Sequence, residues 1–296
     1  MTAPPPRVRK AVVPGTCFLP ATKATPKEML PIVDKPAIQY VVEEAVAPGL
    51  DDVLMVTGRG KRTLEDPFDR NAELEAVLTG KGDTARLDLV RASTDLATVR
   101  CVRQGDPRGL GRAVLGAASH VGAEPFAVLL GGDLIDPADP LLSSMTAVRE
   151  ELGGNRPDGR RCRAHPPLRL CGGRVRGRDG IVRVTDPVEK PELGEAFSGR
   201  AVIGRYVLDP AVFEVLAKTR PGRAGEIQPT DALSTMARDP GIGGPVQAVV
   251  FTGHRHDTGD RGEYLRVTVR LACRRGDVGP GFRPWPQTLV ARDLAA

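Results

Sequence analysis

Three lysines, Lys23, Lys27 and Lys35, stand among four prolines, Pro20, Pro26, Pro31 and Pro36, in the stretch Leu19–Ala37, LPATKATPKEMLPIVDKPA. Prolines stiffen the backbone, so a lysine fixed among them loses little entropy on meeting an anion. Just upstream, the apolar run Ala11–Val13 leads into the turn Pro14-Gly15-Thr16. A strand, a turn carrying Gly15 and Thr16, and then fixed lysines describe a phosphate-binding loop at the edge of a sheet. Further along lie four more groups with chemistry to offer. They are Gln104 and Gly109 in RQGDPRGLGRA, Asp133 in LGGD, Glu189-Lys190 in VEKP, and Asp257 in HDTG.

The elements that position these residues follow from periodicity. Val8–Val13 reads as a first strand. After Pro36, which suits a first helical turn, Ile38, Val41, Val42, Ala45 and Val46 fall at helical spacing, and Gly49 fits just past the helix end. Asp52–Thr57 is a short buried strand, so the first unit is βαβ and implies a parallel sheet with a right-handed crossover. Later strands are predicted at Thr98–Arg103, Pro125–Leu130, Ile181–Thr185, Ala201–Leu208 and Gln247–Thr252. Helices are predicted near Gly109–Ser119, Pro210–Thr219 and Gly262–Arg274. The turn at Pro14, Gln104, Gly131–Asp133 and Asp257 each follow a predicted strand. Ligands of such sheets bind outside the carboxyl ends of the strands, so one crevice can collect them all. With no internal repeat and no long linker, residues 1–296 read as one domain.

Composition removes several function classes. No apolar run reaches the roughly 20 residues that span a bilayer, and MTAPPPRVRK has no apolar core of a signal peptide. Five scattered cysteines, none in a CxxC pair, suit reduced thiols in a cytoplasmic protein and no zinc site. The net charge is +5. The segment Arg156–Val175 holds six arginines and one acid, Asp158, and so accounts for that whole excess. It contains no aromatic residue, and a groove for nucleic acid would need charge on several elements interleaved with aromatics. Neither nucleic acid nor membrane is an expected partner.

The run KEMLPIVDKPAIQYVVEEA (Lys27–Ala45), with RQGDPRGLGRA, VEKP, GEIQPTDAL (Gly225–Leu233) and HDTGDRGEYL (His256–Leu265) in that order, resembles the sugar-nucleotide pyrophosphorylases. More closely, it is similar to the bacterial UTP–glucose-1-phosphate uridylyltransferases. The resemblance runs from Lys10 to about Phe282 and implies a Rossmann-like nucleotidyltransferase fold, a mixed but mainly parallel sheet flanked by helices. It implies transfer of a uridylyl group from UTP to glucose 1-phosphate, with Mg²⁺ as cofactor and a homo-oligomer as the assembly. Residue by residue, it gives Lys27 to the nucleotide phosphates as the catalytic cation and Glu28 to the nucleoside. It gives Gln104 and Gly109 to the uracil, Glu189 to the glucose hydroxyls and Lys190 to the sugar phosphate. It gives Asp257, with Asp133 standing in, to the metal. The chemistry agrees with these roles. An amide both donates to and accepts from a base edge, glycine lets the backbone approach a flat ring, and a carboxylate beside an ammonium suits a sugar phosphate.

Four departures fall on that pattern. The opening loop, AAGLGTRFLP in the family, is PGTCFLP here, shorter and with Cys17 where a phosphate-binding arginine stands. The strand-end motif LGDD is Leu130-Gly131-Gly132-Asp133, so the first carboxylate has become Gly132. Pro229 replaces the usual leucine in GEIQPTDAL. Finally, Arg156–Val175 replaces two apolar strands. Choosing G+C-rich codons for the family-like IHLYGCAAVE and reading two bases later gives PPLRLCGGR, which is Pro166–Arg174. Residues 156–175 are therefore expected to be a frame-shifted, aberrant segment, through a decayed gene or a sequencing error, with two strands lost from the sheet. Three activities stay open: the uridylyl transfer, impaired by these losses; a dead paralogue that still binds nucleotide; and a pyrophosphorylase that uses dTTP or another sugar 1-phosphate.

Overall fold

The computed structural model describes residues 6–15, 25–58, 62–106, 108–152, 156–161, 169–171, 180–188, 200–222 and 225–292, with only the backbone described at 152, 156–161, 169–171, 186, 188 and 200. One nine-stranded sheet organises them. Across it the order is Ile181–Arg183, Gln247–Phe251, Arg156–Arg161, Arg205–Leu208, Phe126–Leu129, Lys10–Pro14, Asp52–Thr57 and Thr98–Arg103, with Arg200–Ala201 paired to Arg156–Arg161 off this path. The four strands from Phe126–Leu129 to Thr98–Arg103 are parallel to one another. Arg205–Leu208 joins them antiparallel, which makes the sheet mixed.

Why these segments are strands is visible in the two cores. Ala11, Val13, Val53, Met55, Ala127 and Leu129 enter one cluster, packed under the helix Ala37–Val46. Their neighbours Val12, Leu54, Val56, Phe126 and Val128 enter the other, against the helices Leu110–Leu115, Val212–Lys218 and Pro229–Arg238. Successive side chains of a strand point to opposite faces, so a sheet covered on both sides needs continuous apolar runs. Thr98–Arg103 alternates polar residues instead and lies at the sheet's edge, where charge discourages pairing with another chain.

The expected loss of two strands is corrected. The backbone of Arg156–Arg161 runs inside the sheet, antiparallel to Arg205–Leu208 and parallel to Gln247–Phe251. Arg169–Cys171 pairs antiparallel with Asp186–Val188 in a separate ribbon. Ladder hydrogen bonds come from main-chain groups, which arginine and glycine also carry. Both flanking strands would otherwise expose unpaired edges. Pro229 is also explained: it occupies the first turn of the helix Pro229–Arg238, where its missing N–H has no intrahelical partner to lose.

Among the described residues, no helix is long and apolar enough to cross a membrane.

Candidate active site

The site is built at the carboxyl ends of the parallel strands. Gly15 follows the first strand, and its amide donates to the Val56 carbonyl at 3.3 Å. Gln104 follows the edge strand, its amide donating to the Thr57 carbonyl at 2.8 Å. Leu130–Asp133 follows Phe126–Leu129, with the Gly131 amide 3.4 Å from the Pro14 carbonyl. Four adjacent strand ends are thus tied laterally, and they place Gly15, Gln104 and Asp133 along one rim. Thr16, Glu189 and Lys190 lie outside the described residues, as does Cys17.

Gln104 and Gly109 come together. The Gln104 side-chain amide donates to the Gly109 carbonyl at 3.3 Å. Gly109 has φ +90°, and a Cβ there would lie 2.8 Å from Glu226 Cβ and 2.9 Å from the Ile227 carbonyl. Only glycine fits that conformation and that approach. The Ile227 amide donates to Arg108 and the Gly111 amide to Ile227, at 2.9 and 2.8 Å. The RGLGRA and GEIQ motifs, more than a hundred residues apart in sequence, therefore form one contact.

Lys27 opens a short 3-10 turn, Lys27–Met29. Lys27 is only 6 % exposed and Glu28 fully buried, so the lysine does not stand on a solvated loop. The Lys27 ammonium lies beside the turn that carries Asp257. A Cβ on Gly259 would sit 3.3 Å from Lys27 Nζ and 2.9 Å from Asp257 Oδ1. Glu28 turns inward to Gly131, where a Cβ would lie 2.8 Å from Glu28 Cγ.

The divalent cation expected from the sequence has two candidate donor sets. The first is Asp133 with Asp257. They face each other directly in the ribbon formed by Asp133–Ile135 and Arg255–Asp257. Arg255 joins them, its guanidinium donating to Asp133 Oδ1 and, at 3.3 Å, to Asp257 Oδ2. The other oxygen of Asp257 accepts the Gly259 amide at 2.8 Å. Asp133 is buried, and burial raises its pKa against the pull of Arg255 and Arg205. Its Oδ2 occupies the place a side chain on Gly204, at φ +75°, would take, so any Cβ there would collide with it. With that oxygen enclosed and Oδ1 taken by Arg255, Asp133 as it stands does not fit a metal ligand. The second set is Asp136, Asp139 and His254, whose ligand atoms lie within 4.8 Å of one another. Asp136 is already held by Arg270 and Arg274.

Residues missed by the sequence analysis hold the strand-end turn in place. Arg205 is fully buried. It donates to both Glu44 oxygens, to the Leu130 carbonyl at 3.1 Å and to the Asp133 carbonyl at 2.7 Å. Thr258 donates its amide and its hydroxyl to the Gly132 carbonyl, both at 2.9 Å. His256 points away from Arg255 and Asp257, as strand alternation requires. It is buried against Glu263 at 3.2 Å, and burial lowers its pKa.

Comparison with known proteins agrees with this geometry. The nucleotidyl transferase family matches residues 14–272; such enzymes typically use a divalent metal. The UTP–glucose-1-phosphate uridylyltransferase YngB of Bacillus subtilis is 42% identical over 292 residues, covering 97% of this chain and 97% of its own. UTP–glucose-1-phosphate uridylyltransferase 2 of Staphylococcus saprophyticus is 41% identical over 280 residues, 90% of this chain and 93% of its own. Among solved structures, the UDP-glucose pyrophosphorylase of Acinetobacter baumannii superposes with a TM-score of 0.84 at 32% identity, covering 95% of this chain and 99% of that one. A UDP-glucose pyrophosphorylase complexed with UDP-glucose does so at 0.78 and 36%, covering 90% and 100%. With the mixed sheet, the tied strand ends and this similarity over nearly its whole length, the chain belongs to the nucleotidyl transferase family, in the group of the UTP–glucose-1-phosphate uridylyltransferases.

Proposed function

We propose that this chain transfers the uridylyl group of UTP to glucose 1-phosphate, giving UDP-glucose and pyrophosphate. The observation that carries the proposal is the buried Lys27 ammonium brought to the Asp257–Gly259 turn at the strand ends, in a chain 41–42% identical to uridylyltransferases. Attack of the sugar phosphate oxygen on the α-phosphorus of UTP brings two anions together, so the protein's task is alignment and charge neutralisation. Lys27 neutralises the phosphates. Gln104 and Gly109, in contact with each other, are assigned to the uracil, Glu28, beside Gly131, to the nucleoside, and Gly15 and Thr16 to the phosphates. Glu189 and Lys190 receive the sugar and its phosphate. A divalent cation such as Mg²⁺ would supply further neutralisation of the nucleotide phosphates. The reaction is cytoplasmic, as the scattered thiols suggest. Like chains associate, and Leu265 and Val269, exposed one turn apart on the helix Arg261–Arg274, are the apolar face a second copy covers.

The test is pyrophosphate release from UTP with glucose 1-phosphate and Mg²⁺, with dTTP as competitor. Turnover that depends on glucose 1-phosphate and prefers UTP supports the proposal. A second reading is favoured by Gly132 and by the enclosure of Asp133: a nucleotide-binding relative without turnover. UDP binding with no pyrophosphate release selects it.

A further inference from the structure

Asp133 and Asp257 stand directly opposite each other in an antiparallel ribbon. Like charges in that position repel across about 5 Å and destabilise the pair. A cation must offset them. Side chains two apart on a strand share a face, so Arg255 lies on the same face as Asp257 and diagonal to Asp133. Its guanidinium reaches one oxygen of each. The remaining Asp257 oxygen accepts the Gly259 amide, and the remaining Asp133 oxygen is shut against Gly204. The planar fork of arginine suits two carboxylates at once.

We propose that Arg255 is the resident counter-cation of this site: in the nucleotide-free protein its guanidinium, not a divalent ion, holds Asp133 and Asp257 together, and the pair becomes a metal site only when Arg255 is removed. Arg255 is on this account a positioning residue. It fixes the carboxylate of Asp257 beside Gly259 and hence beside the Lys27 ammonium. The inference concerns the charge balance of the site and stands or falls independently of turnover.

The probe is Mn²⁺ alone, titrated into the full chain without nucleotide and followed by electron paramagnetic resonance. In the unmodified protein, any bound Mn²⁺ is expected to be unaffected by Asp133→Asn or Asp257→Asn; ions held at Asp136, Asp139 and His254 are reported separately by Asp139→Asn. Arg255→Gln is expected to bind one further Mn²⁺ at least about tenfold more tightly than the unmodified chain, because a unit positive charge within contact distance has gone. Asp257→Asn in that background should remove the new site. One equivalent of Mn²⁺ on the unmodified protein that Asp133→Asn or Asp257→Asn abolishes overturns the proposal, whether or not Arg255→Gln folds. A folded Arg255→Gln that gains no ion overturns it as well.

Discussion

Replacing Arg205 with alanine withdraws a guanidinium from the middle of the fold. Arg205 has no exposed surface, and the side chain of its partner Glu44 is 14% exposed. The substitution strips Glu44 of contacts at 3.0, 3.1 and 2.6 Å and takes the guanidinium donor from the Asp133 carbonyl and from the Leu130 carbonyl, which keeps the Asp133 amide at 3.1 Å. Breaking one side of a buried ion pair costs about 3–5 kcal/mol, because the other charge stays behind. The loss at the Asp133 carbonyl adds up to roughly 1–3 kcal/mol, though not additively for groups served by one side chain. A total near 5 kcal/mol is expected, a large part of the roughly 5–15 kcal/mol that holds a domain folded. Glu44→Ala should be similarly severe. The double variant should cost less than the sum of the singles by at least about 2 kcal/mol, since it leaves no stranded charge. Urea unfolding followed by circular dichroism measures all three. A loss below about 2 kcal/mol for Arg205→Ala, or simple additivity in the double variant, would refute the role of Arg205 as the pin between the helix Ala37–Val46 and the strand-end turn.

Lys27→Met keeps the buried volume and removes the charge, so pyrophosphate release should fall by about 10²–10³-fold, the usual scale for one group stabilising a transition-state charge; full turnover would show that Lys27 does not meet the phosphates. Gln104→Ala should weaken UDP binding by about 1–3 kcal/mol in calorimetry, and unchanged affinity would place the base elsewhere. Burial lowers the pKa of His256 despite Glu263, so below its ordinary value of about 6.5 the unfolded chain takes up more protons than the folded one. Its contribution is therefore intact above about pH 6.5 and lost as pH falls towards the depressed folded value; His256→Phe should flatten that part of the stability profile, and an unchanged slope would contradict it. The coding DNA of Arg156–Arg174 should read family-like apolar strands in the alternative frame; codons that yield none would remove the frame-shift proposal.

Much of the parallel half of the sheet was legible, its inner strands because they are buried on both faces and its edge strand because β-branched residues alternate with polar ones. Asp52–Thr57 and Thr98–Arg103 coincide with their predicted limits, and Lys10–Pro14 and Phe126–Leu129 lie within two residues of theirs. The helices Ala72–Gly80 and Thr84–Thr94 went unread, since each buries little: only Glu75 and Leu78 in the first, and Leu87 in the second. Their signals were caps rather than stripes, Asn71 accepting the Leu74 amide and Asp83 accepting the Arg86 amide. Arg156–Arg161 was misjudged for the opposite reason. Composition argued against a strand, but two neighbouring strands needed a partner, a demand set by the rest of the sheet and invisible from the segment itself.

Motifs assign residues one by one and are silent on the charges that hold them in place. Arg205 interrupts the apolar run Val202–Leu208, and a lone arginine in a strand bound for the core has to be paired. That much the sequence could have said; that the partner would be Glu44, 161 residues away, it could not. Arg255 was nearer to hand. It precedes Asp257 by two residues in a strand, which puts the two on one face. The missing step was the pairing of that strand with Asp133–Ile135. Register alone turns two separate acids into facing ones, and only then does an arginine between them become necessary. The loss of a carboxylate at Gly132 and the presence of Arg255 act in the same direction: one negative charge fewer and one positive charge within reach leave the strand-end acids of this chain neutralised from inside the protein.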